Sequence, residues 1–450
     1  MDDVTLRFDR ADVALDRFLV IEKAYATIGL TLNRSKCELI APWSPEVAAR
    51  CAELGIKLMR SDDPRVAAKI LGAPVGHAAA REQWCADRLA RTEAMCDILA
   101  DDEFDPRLAY DLLQHVHLAR AKYLAECVEP HITAKAMKKF DATTFKTFQR
   151  IFGTDIEQYW MEHPAGAGLL SMERCAPEVY RRANLERAAR SRAHAESLHQ
   201  YTAQQLGLPE DPKEFAQSLS AAGYNGRMWM QFAPHVHVTP HHFITAMRLR
   251  CHAPMPRDAN FCCCGAKLET HHHLLNCQYN NGYTAVHRHN ETLGALAHVA
   301  RSYGIVTVVE PTCYQYADKT RPDILFCLGQ RSVAVDLTVV DPCADSHVAQ
   351  AQTVGATAAA AASGKNDKHG GNVAALGHKF YSLAVETYGH MDGEVWKAFR
   401  HVSTNLREEI RSAFVRDMML ALSISVQSGN AKLYDCALRR ARRYAAYWAR

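Results

Sequence analysis

Residues 320–342 read TRPDILFCLGQRSVAVDLTVVDP, and this stretch predicts a β-hairpin in the C-terminal half of the chain. Two β-rich runs, Ile324–Leu328 and Ser332–Val340, flank the pair Gly329-Gln330. A two-residue loop with glycine at its first central position is typical of a type II′ turn, whose twist suits antiparallel strands. The sequence therefore predicts two paired strands in a fixed register.

The predicted register brings two aspartates together. If Leu328 lies opposite Arg331, counting outward along both strands places Asp323 opposite Asp336. Directly opposed side chains share one face of a sheet, with Cβ atoms about 4.5–5.5 Å apart. Two carboxylates in this relation repel each other unless a cation lies between them. A divalent cation such as Mg²⁺ or Mn²⁺ fits, since Mg²⁺ is held by one or two carboxylates together with water and phosphate.

Asp-x₁₂-Asp on a hairpin, with proline before the first aspartate, resembles the arrangement of PD-(D/E)xK nucleases. The resemblance implies a metal ion that activates water and neutralises charge on the scissile phosphate. It also implies a lysine two residues after the second acid, where this chain has Thr338. Lys365 and Lys368 are candidates for the missing ammonium group. Glu310, which precedes Pro311, is a candidate third acid.

The same residues also have a simpler interpretation. The two aspartates can cap strand ends in an ordinary hairpin, and Lys365 and Lys368 can be solvent-facing loop residues. Glu386 is a further polar candidate because it ends an apolar strand. His289, in the motif HRHN, is more typical of a surface or capping histidine than of a catalytic one.

A second cluster of reactive side chains lies at 261–277, which reads FCCCGAKLETHHHLLNC. Cys262, Cys264, His272 and Cys277 form a plausible set of zinc ligands, because Zn²⁺ prefers thiolate and imidazole in tetrahedral groups of four. Gly265 favours a tight turn around the ion. Since so short a segment has little core of its own, we expect metal binding to supply its folding energy.

The choice of ligands within this cluster stays open at the level of sequence. Cys263 can replace Cys262, and His271 or His273 can replace His272. The alternative to a metal site is a reduced, cysteine-rich loop. Disulfides are not expected, because the N-terminal sequence does not resemble a secretory signal and the 15 cysteines are typical of reduced thiols in a cytosolic or nuclear protein.

Length and composition indicate a multidomain α+β protein. A chain of 450 residues is too long for one core, and 48% hydrophobic with 23% charged residues is ordinary for globular proteins. The sequence contains no run of eighteen apolar residues, so it does not predict a membrane-spanning helix. The pattern is mostly helical from about 78 to 232. Around the hairpin it predicts an alanine-rich helix at about 345–362, a Lys/Gly loop at 364–371 and a strand near 380–386.

The net charge of +3 neither requires nor excludes a nucleic-acid partner. Two arginine-rich segments, 181–196 and 437–450, follow helical patterns. They can be solvated helix faces. They also suit phosphate contact, and in the second segment the aromatic residues Tyr444, Tyr447 and Trp448 are interleaved with the arginines.

The order of these pieces resembles the C-terminal half of non-LTR retrotransposon proteins that carry a restriction-like endonuclease. The matching features are the Cys-x-Cys…His-x₄-Cys knuckle, HRHN, RPDILF…VAVDLTV, the alanine-rich segment with KNDK, and LAVETYG. Upstream, GLTLNRSKCELIAP and KILGAPVG resemble the end of the reverse-transcriptase palm of the same elements. The resemblance is weakest in the helical middle of the chain.

The first residues, MDDVTL, resemble the tail of the polymerase (Y/F)-x-D-D motif, with Asp2 and Asp3 as its metal-binding pair. Polymerase chemistry of this kind also needs a third, upstream carboxylate and a fingers domain. We therefore expect this polypeptide by itself not to polymerise DNA, and to be a truncated copy or a gene model that starts at an internal methionine. Primer extension by the purified chain would contradict this expectation.

The resemblance implies a metal-dependent DNA endonuclease that nicks target DNA for target-primed reverse transcription. The implied partners are the DNA target site and the element RNA, the implied cofactors are structural Zn²⁺ and catalytic Mg²⁺ or Mn²⁺, and the implied location is nuclear. The competing hypothesis is a catalytically dead zinc-knuckle protein that only binds nucleic acid. The expected segments are a palm remnant (1–77), a helical thumb and linker (78–236), a helix with the knuckle (237–280), the endonuclease (281–425) and a basic C-terminal helix (426–450).

Overall fold

The fold is a mixture of helices and small sheets, as expected for an α+β protein. In a computed structural model of the chain, the residues described are 5–70, 72–185, 192–231, 236–279, 282–312, 321–329 and 331–448. Asp2 and Asp3 lie outside the described residues, as does much of the arginine-rich segment 181–196. None of the helices in the described ranges is both long and apolar enough to span a membrane.

Helices make up most of the described chain. Short 3₁₀ turns occur at Arg34–Lys36, Met228–Met230 and Gln350–Gln352, and a π-helical turn at Leu113–His117. The α-helices are α1 (Ala11–Thr27), α2 (Pro45–Leu54), α3 (Ala78–Ala90), α4 (Glu93–Leu99), α5 (Pro106–Leu112), α6 (Leu118–Cys127), α7 (Pro130–Phe152), α8 (Gln158–Glu162), α9 (Met172–Leu185), α10 (Arg192–Leu206), α11 (Pro212–Ala222), α12 (Tyr224–Arg227), α13 (Pro240–Arg250), α14 (His272–Asn276), α15 (Ala285–Ser302), α16 (Ala356–Ala375), α17 (Gly393–Ser403) and α18 (Glu408–Trp448).

Within the described ranges, the strands form three sheets. A parallel pair joins β1 to β2, an antiparallel pair joins β3 to β4, and a four-stranded sheet has the order β5-β6-β7-β8. Within the four-stranded sheet, β5, β6 and β7 are antiparallel, and β8 runs parallel to β7. The strands are β1 (Glu38–Ala41), β2 (Lys57–Arg60), β3 (Ala67–Ile70), β4 (Ala73–Gly76), β5 (Val306–Val309), β6 (Ile324–Leu328), β7 (Arg331–Val340) and β8 (Lys379–Glu386).

The chain divides into two compact units. The first comprises residues 1–97, 115–144 and 171–190, and the second comprises the remainder. In the first unit, Leu15 of α1 and Cys51 of α2 are buried in one apolar cluster. Ser44 caps α2 by accepting a hydrogen bond from the Val47 amide, and Gly55, with φ +66°, ends the helix. The domain boundaries expected from the sequence remain predictions.

The four-stranded sheet and the long helix α18 lie in the second unit. Helix α16 covers one face of the sheet, where Val373 packs on Leu325, Ala334 and Phe380. Along β7, successive side chains alternate between the faces, and most of the strand is buried on both. Helix α18 packs against α13, α15 and α17 and thereby joins much of the unit.

The structure confirms the predicted hairpin. Leu328 lies opposite Arg331, and the ladder continues to the pair Ile324 and Val335. Gly329 has φ +76°, a conformation that favours glycine and that the proposed turn requires. The strand predicted near 380–386 is also present, as β8.

The alanine-rich helix is shifted relative to its prediction. It was expected at 345–362 with a loop at 364–371, whereas α16 begins at Ala356 and continues through that loop to Ala375. Glycines in the sequence suggested a break, yet Gly364, Gly370 and Gly371 are tolerated in the helix interior at a cost of about 1 kcal/mol each relative to alanine. Buried side chains in the second half of the helix, such as Val373, offset that cost.

Candidate functional site

The hairpin sets the positions of two aspartates. Asp323 directly precedes β6, and its amide donates to the Val335 carbonyl at 3.0 Å. Because Ile324 pairs with Val335, the next opposed positions are Asp323 and Asp336. Both side chains share the face that α16 covers, since they lie two residues from Leu325 and Ala334. The register therefore brings the predicted pair of carboxylates together.

Helix α16 supplies a lysine and a histidine as partners for Asp336. The Lys365 Nζ lies 2.5 Å from Asp336 Oδ1, and the His369 Nε2 lies 3.2 Å from Asp336 Oδ2. Lys365 and His369 are four residues apart and so lie on one face of the helix. Asp336 is only 3% exposed, so this contact is largely shielded from water.

Helix α15 supplies a partner for Asp323. The His289 Nε2 lies 3.3 Å from Asp323 Oδ1, while Asp323 Oδ2 accepts a hydrogen bond of 2.6 Å from the Leu337 amide. The capping role considered for His289 falls instead to His287, whose side chain takes part in a capping box with Thr284.

The electrostatics of the group follow from burial and proximity. Burial raises the pKa of Asp336, the neighbouring Asp323 carboxylate raises it further, and Lys365 opposes both effects. The hydrogen bond to Asp323 raises the pKa of His289 in spite of partial burial. Burial lowers the pKa of His369, although Asp336 acts in the opposite sense. Negative charge at Asp336 is therefore costly without a cation nearby.

A third carboxylate holds the surrounding elements together. Glu394, in the first turn of α17, accepts hydrogen bonds from Asn366 Nδ2 at 3.0 Å and from the Ser382 amide at 3.2 Å. Asn366 follows Lys365 on α16, and Ser382 pairs with Asp336 across the parallel strands. Glu394 thus links α16 to the strand beside Asp336 and helps to hold Lys365 in place.

The other sequence candidates have different surroundings. Lys368 is exposed, and it is Lys365 that pairs with Asp336. Glu310 pairs with Arg321 at 2.6 Å and is about half exposed. Glu386 is buried, and its Oε1 accepts a hydrogen bond of 3.2 Å from the Ala358 amide in the first turn of α16.

The cysteine–histidine cluster brings four ligand atoms together. One ligand atom from each of Cys262, Cys264, His273 and Cys277 lies within 4.8 Å of the other three. Cys264 Sγ is 3.1 Å from His273 Nε2, and Cys262 Sγ is 3.5 Å from Cys277 Sγ. Three thiols and one imidazole are a donor set that zinc accepts, so the cluster can hold a zinc ion.

The structure corrects the histidine of the predicted ligand set. His272 is buried outside the cluster, and its Nδ1 is 2.7 Å from the Tyr388 hydroxyl. His271 is also buried, with its Nε2 3.2 Å from the same hydroxyl. Cys263 lies beside the cluster, and its thiol is 3.6 Å from the Tyr279 carbonyl. His273 replaces His272 because the start of α14 turns successive side chains in different directions.

The local backbone of the knuckle explains the spacing of its ligands. The Gly265 amide donates to the Cys262 carbonyl at 2.9 Å, and Gly265 has φ +89°, so the chain turns across residues 262–265 and brings Cys262 and Cys264 into one turn. Apolar residues of the knuckle, among them Leu268 and Leu274, share a buried cluster with Leu438 of α18. The apolar core of the knuckle is therefore formed jointly with α18.

Comparison with known proteins gives no family assignment. No protein-family model matches the chain, and a search of curated proteins finds no significant match. The chemistry of the site must therefore be argued from its own residues.

Sequence reasoning missed His369 and Glu394. The spacing Lys365-x₃-His369 was a usable signal, because in a helix it directs two potential cations to one face. This spacing was not recognised as helical because a loop was expected at 364–371. Glu394 gave no signal of its own, since its role depends on the parallel pairing of β7 with β8.

Proposed function

We propose that this chain is a metal-dependent DNA endonuclease of the kind carried by non-LTR retrotransposon proteins, acting in the nucleus on target DNA with the element RNA as a further partner. The observation that carries the proposal is the opposed pair of Asp323 and Asp336, with the Lys365 ammonium 2.5 Å from the buried carboxylate. In this interpretation the four-stranded sheet with its helices is the restriction-like endonuclease domain, and residues 1–77 and 78–236 correspond to palm and thumb segments.

The donors present suit a hard divalent cation. Asp323 and Asp336 would hold Mg²⁺ or Mn²⁺, which in proteins is bound through one or two carboxylates with water and substrate phosphate completing the shell. The buried Asp336 Oδ1 lies 2.5 Å from the Lys365 ammonium, so a metal ion held by Asp336 would share this carboxylate with the lysine. When bound, the cation supplies Lewis acidity and activates the attacking water.

Lys365 takes the part of the lysine that the sequence lacks at Thr338. Its ammonium group contacts Asp336 and its side chain is 30% exposed, so it can contact both the carboxylate and an incoming phosphate. In the proposed hydrolysis, water loses a proton to solvent and attacks phosphorus, the bond from phosphorus to O3′ breaks, and O3′ takes a proton from solvent, which leaves a 5′-phosphate and a free 3′-OH. Lys365 stabilises the negative charge that develops on the phosphate oxygens.

Two histidines orient the carboxylates. His369 contacts one oxygen of Asp336 and His289 contacts one oxygen of Asp323, while Lys365 and the Leu337 amide contact the other two oxygens. Such outer partners of a metal-binding carboxylate fix its direction and tune its basicity. His289 and His369 are therefore assigned as positioning residues.

Nicking of a supercoiled plasmid tests the proposal. We expect the purified chain to convert supercoiled DNA to the open-circular form with Mg²⁺ or Mn²⁺, and Asp336→Asn or Asp323→Asn to reduce the rate at least about 100-fold. Asp367→Asn is the matched control, because Asp367 is an exposed acid on the same helix as Lys365. If wild-type protein nicks no faster than Asp336→Asn, the nuclease assignment is wrong.

A nucleic-acid-binding role without cleavage is the second candidate. The observation that favours it is Thr338 in the place of the expected lysine, together with a knuckle that can hold zinc. This role predicts DNA or RNA binding that is unchanged in Asp336→Asn, and no nicking by the wild-type chain.

A further inference from the structure

The surface beside the cysteine cluster carries exposed aromatic rings. Tyr279 follows the ligand Cys277 by two residues and is 67% exposed, and Tyr444 on α18 is 40% exposed. An exposed ring of this size leaves apolar area in water, and solvent-facing tyrosines beside positive charge are typical of surfaces on which bases stack.

Arginine lies directly against this surface. The Arg440 Nη1 donates to the Tyr279 carbonyl at 2.6 Å, which ties α18 to the segment after Cys277. Arg440 and Tyr444 are four residues apart and so lie on the same side of the helix. Arg443 is exposed on the next turn from Arg440. Along this part of α18, one arginine contacts the Tyr279 backbone, and an exposed arginine and an exposed tyrosine follow within about one turn.

Buried contacts between α18 and the knuckle hold this surface in place. Ala437, Leu438 and Ala441 form the buried side of α18 against the knuckle. The Tyr279 carbonyl is also approached by the Cys263 thiol at 3.6 Å. Tyr279 is thus held between the cysteine cluster and α18, so its ring is presented by a supported backbone.

We propose that Tyr279, Tyr444, Arg440 and Arg443 form a binding site for single-stranded nucleic acid. Unpaired bases stack on the tyrosine rings and the arginines contact the phosphates. A duplex suits the site less well, because its bases are already stacked and hide their faces from the protein. The inference rests on nucleic acid as the ligand in the proposed function, but it does not require cleavage.

Fluorescence anisotropy with labelled dT20 and a labelled 20-base-pair duplex tests this site, using the zinc-loaded full chain without Mg²⁺. We expect dT20 to bind more tightly than the duplex. Tyr279→Ala and Tyr444→Ala should each weaken dT20 binding about tenfold, in the range of one lost stacking contact. Tyr279→Phe should bind like wild type because it keeps the ring. Tyr224→Ala is the matched control, since Tyr224 is 39% exposed elsewhere in the same unit.

The arginines are tested by salt dependence. Removal of one phosphate contact to a single strand lowers the slope of log K against log salt concentration by about 0.7. We expect this change for Arg443→Ala but not for Arg407→Ala, an exposed arginine directly before α18.

The inference is wrong if Tyr444→Ala binds dT20 within twofold of wild type, or if the duplex binds as tightly as dT20. Zinc content is measured for every variant, and if Tyr279→Ala loses zinc, Tyr444→Ala decides the result. Plasmid nicking is measured separately. A chain that binds dT20 as expected but does not nick refutes the nuclease alone, and a chain that nicks with unchanged dT20 binding in Tyr444→Ala refutes this site alone.

Discussion

Replacement of Arg250 by methionine should destabilise the second unit strongly. The guanidinium group of Arg250 is buried at the end of α13, where it donates to four backbone carbonyls. Their oxygens lie 2.7 Å away for Gly166, 2.7 Å for Gly226, 2.8 Å for Ala221 and 3.0 Å for Pro164. These carbonyls belong to two turns that are brought close together, and a Cβ at Gly166 or Gly226 would collide with neighbouring backbone. Arg250 therefore supplies the donors for two loops.

The expected loss of unfolding free energy is the cost of the four lost hydrogen bonds minus the cost of burying the Arg250 charge. Each buried carbonyl left without its donor costs about 1.5–2 kcal/mol, or about 6–8 kcal/mol for four. Burial lowers the pKa of Arg250 from 12.5 to about 10, and a fall of that size corresponds to a burial cost of about 3 kcal/mol, which methionine recovers. The expected net loss for Arg250→Met is about 3–5 kcal/mol. Arg250→Lys should lose less, because an ammonium group keeps some of the four contacts.

Urea unfolding followed by tryptophan fluorescence measures this loss. Trp160 and Trp229 are both buried in the same unit and report on the two loops. With a urea dependence of about 2–3 kcal/mol per M, the midpoint should fall by about 1–2.5 M. Arg248→Ala is the control on the same helix, because Arg248 forms a partly exposed ion pair with Asp155 that is worth about 1 kcal/mol or less. Equal midpoints for Arg250→Met and wild type would refute the reasoning.

Three further predictions concern the two clusters. In the plasmid assay, Lys365→Ala should lower nicking at least about 100-fold because its ammonium contacts Asp336, whereas Lys368→Ala should stay within about twofold; equal losses would contradict the assignment. Zinc analysis after dialysis should show loss of the ion for His273→Ala and retention for His272→Phe, since only His273 lies in the cluster, and the opposite pattern would restore the original ligand set. Leu438→Ala should lower the free energy of unfolding in urea by about 2–5 kcal/mol, because Leu438 is buried against the knuckle. The same variant should release zinc to a chelator faster than wild type. An unchanged rate of zinc release would show that the packing of α18 does not stabilise the knuckle.

The hairpin was predictable because its turn and its strand register are determined by residues that are close together in sequence. Gly329 fixes a two-residue turn, and once the turn is known, the period of the strands determines which side chains oppose each other. The pairing of Asp323 with Asp336 therefore needed no knowledge of the rest of the fold. The coarse α+β class was predictable for a similar reason, since apolar periodicity is also a local property.

Helix α16, which packs on the hairpin, was harder to predict from the sequence. Gly364, Gly370 and Gly371 weaken the intrinsic preference for helix, and propensity alone favours a break there. The sheet overrides that preference, because His369 and Val373 are buried against it. The roles of Lys365 and His369 follow from packing between elements far apart in sequence, which no local pattern encodes.

The choice among three histidines illustrates the same limit at a smaller scale. His271, His272 and His273 are identical in type and adjacent in sequence, so spacing alone cannot distinguish them. The difference comes from Tyr388, more than a hundred residues later, whose hydroxyl lies within hydrogen-bonding distance of His271 and His272. His273 is left to face the cysteines.

Helix α18 connects the two candidate sites within one unit. Leu438 packs on the cysteine cluster, and about two turns upstream, Asn430 accepts a hydrogen bond of 2.6 Å from Arg288 of α15. Arg288 directly precedes His289, the partner of Asp323. A nucleic-acid strand held at the knuckle and a phosphate held at the aspartates would therefore be positioned by one continuous helix and its packed neighbour. In the proposed function, a knuckle supported by α18 would give a bound strand a defined direction relative to the two aspartates.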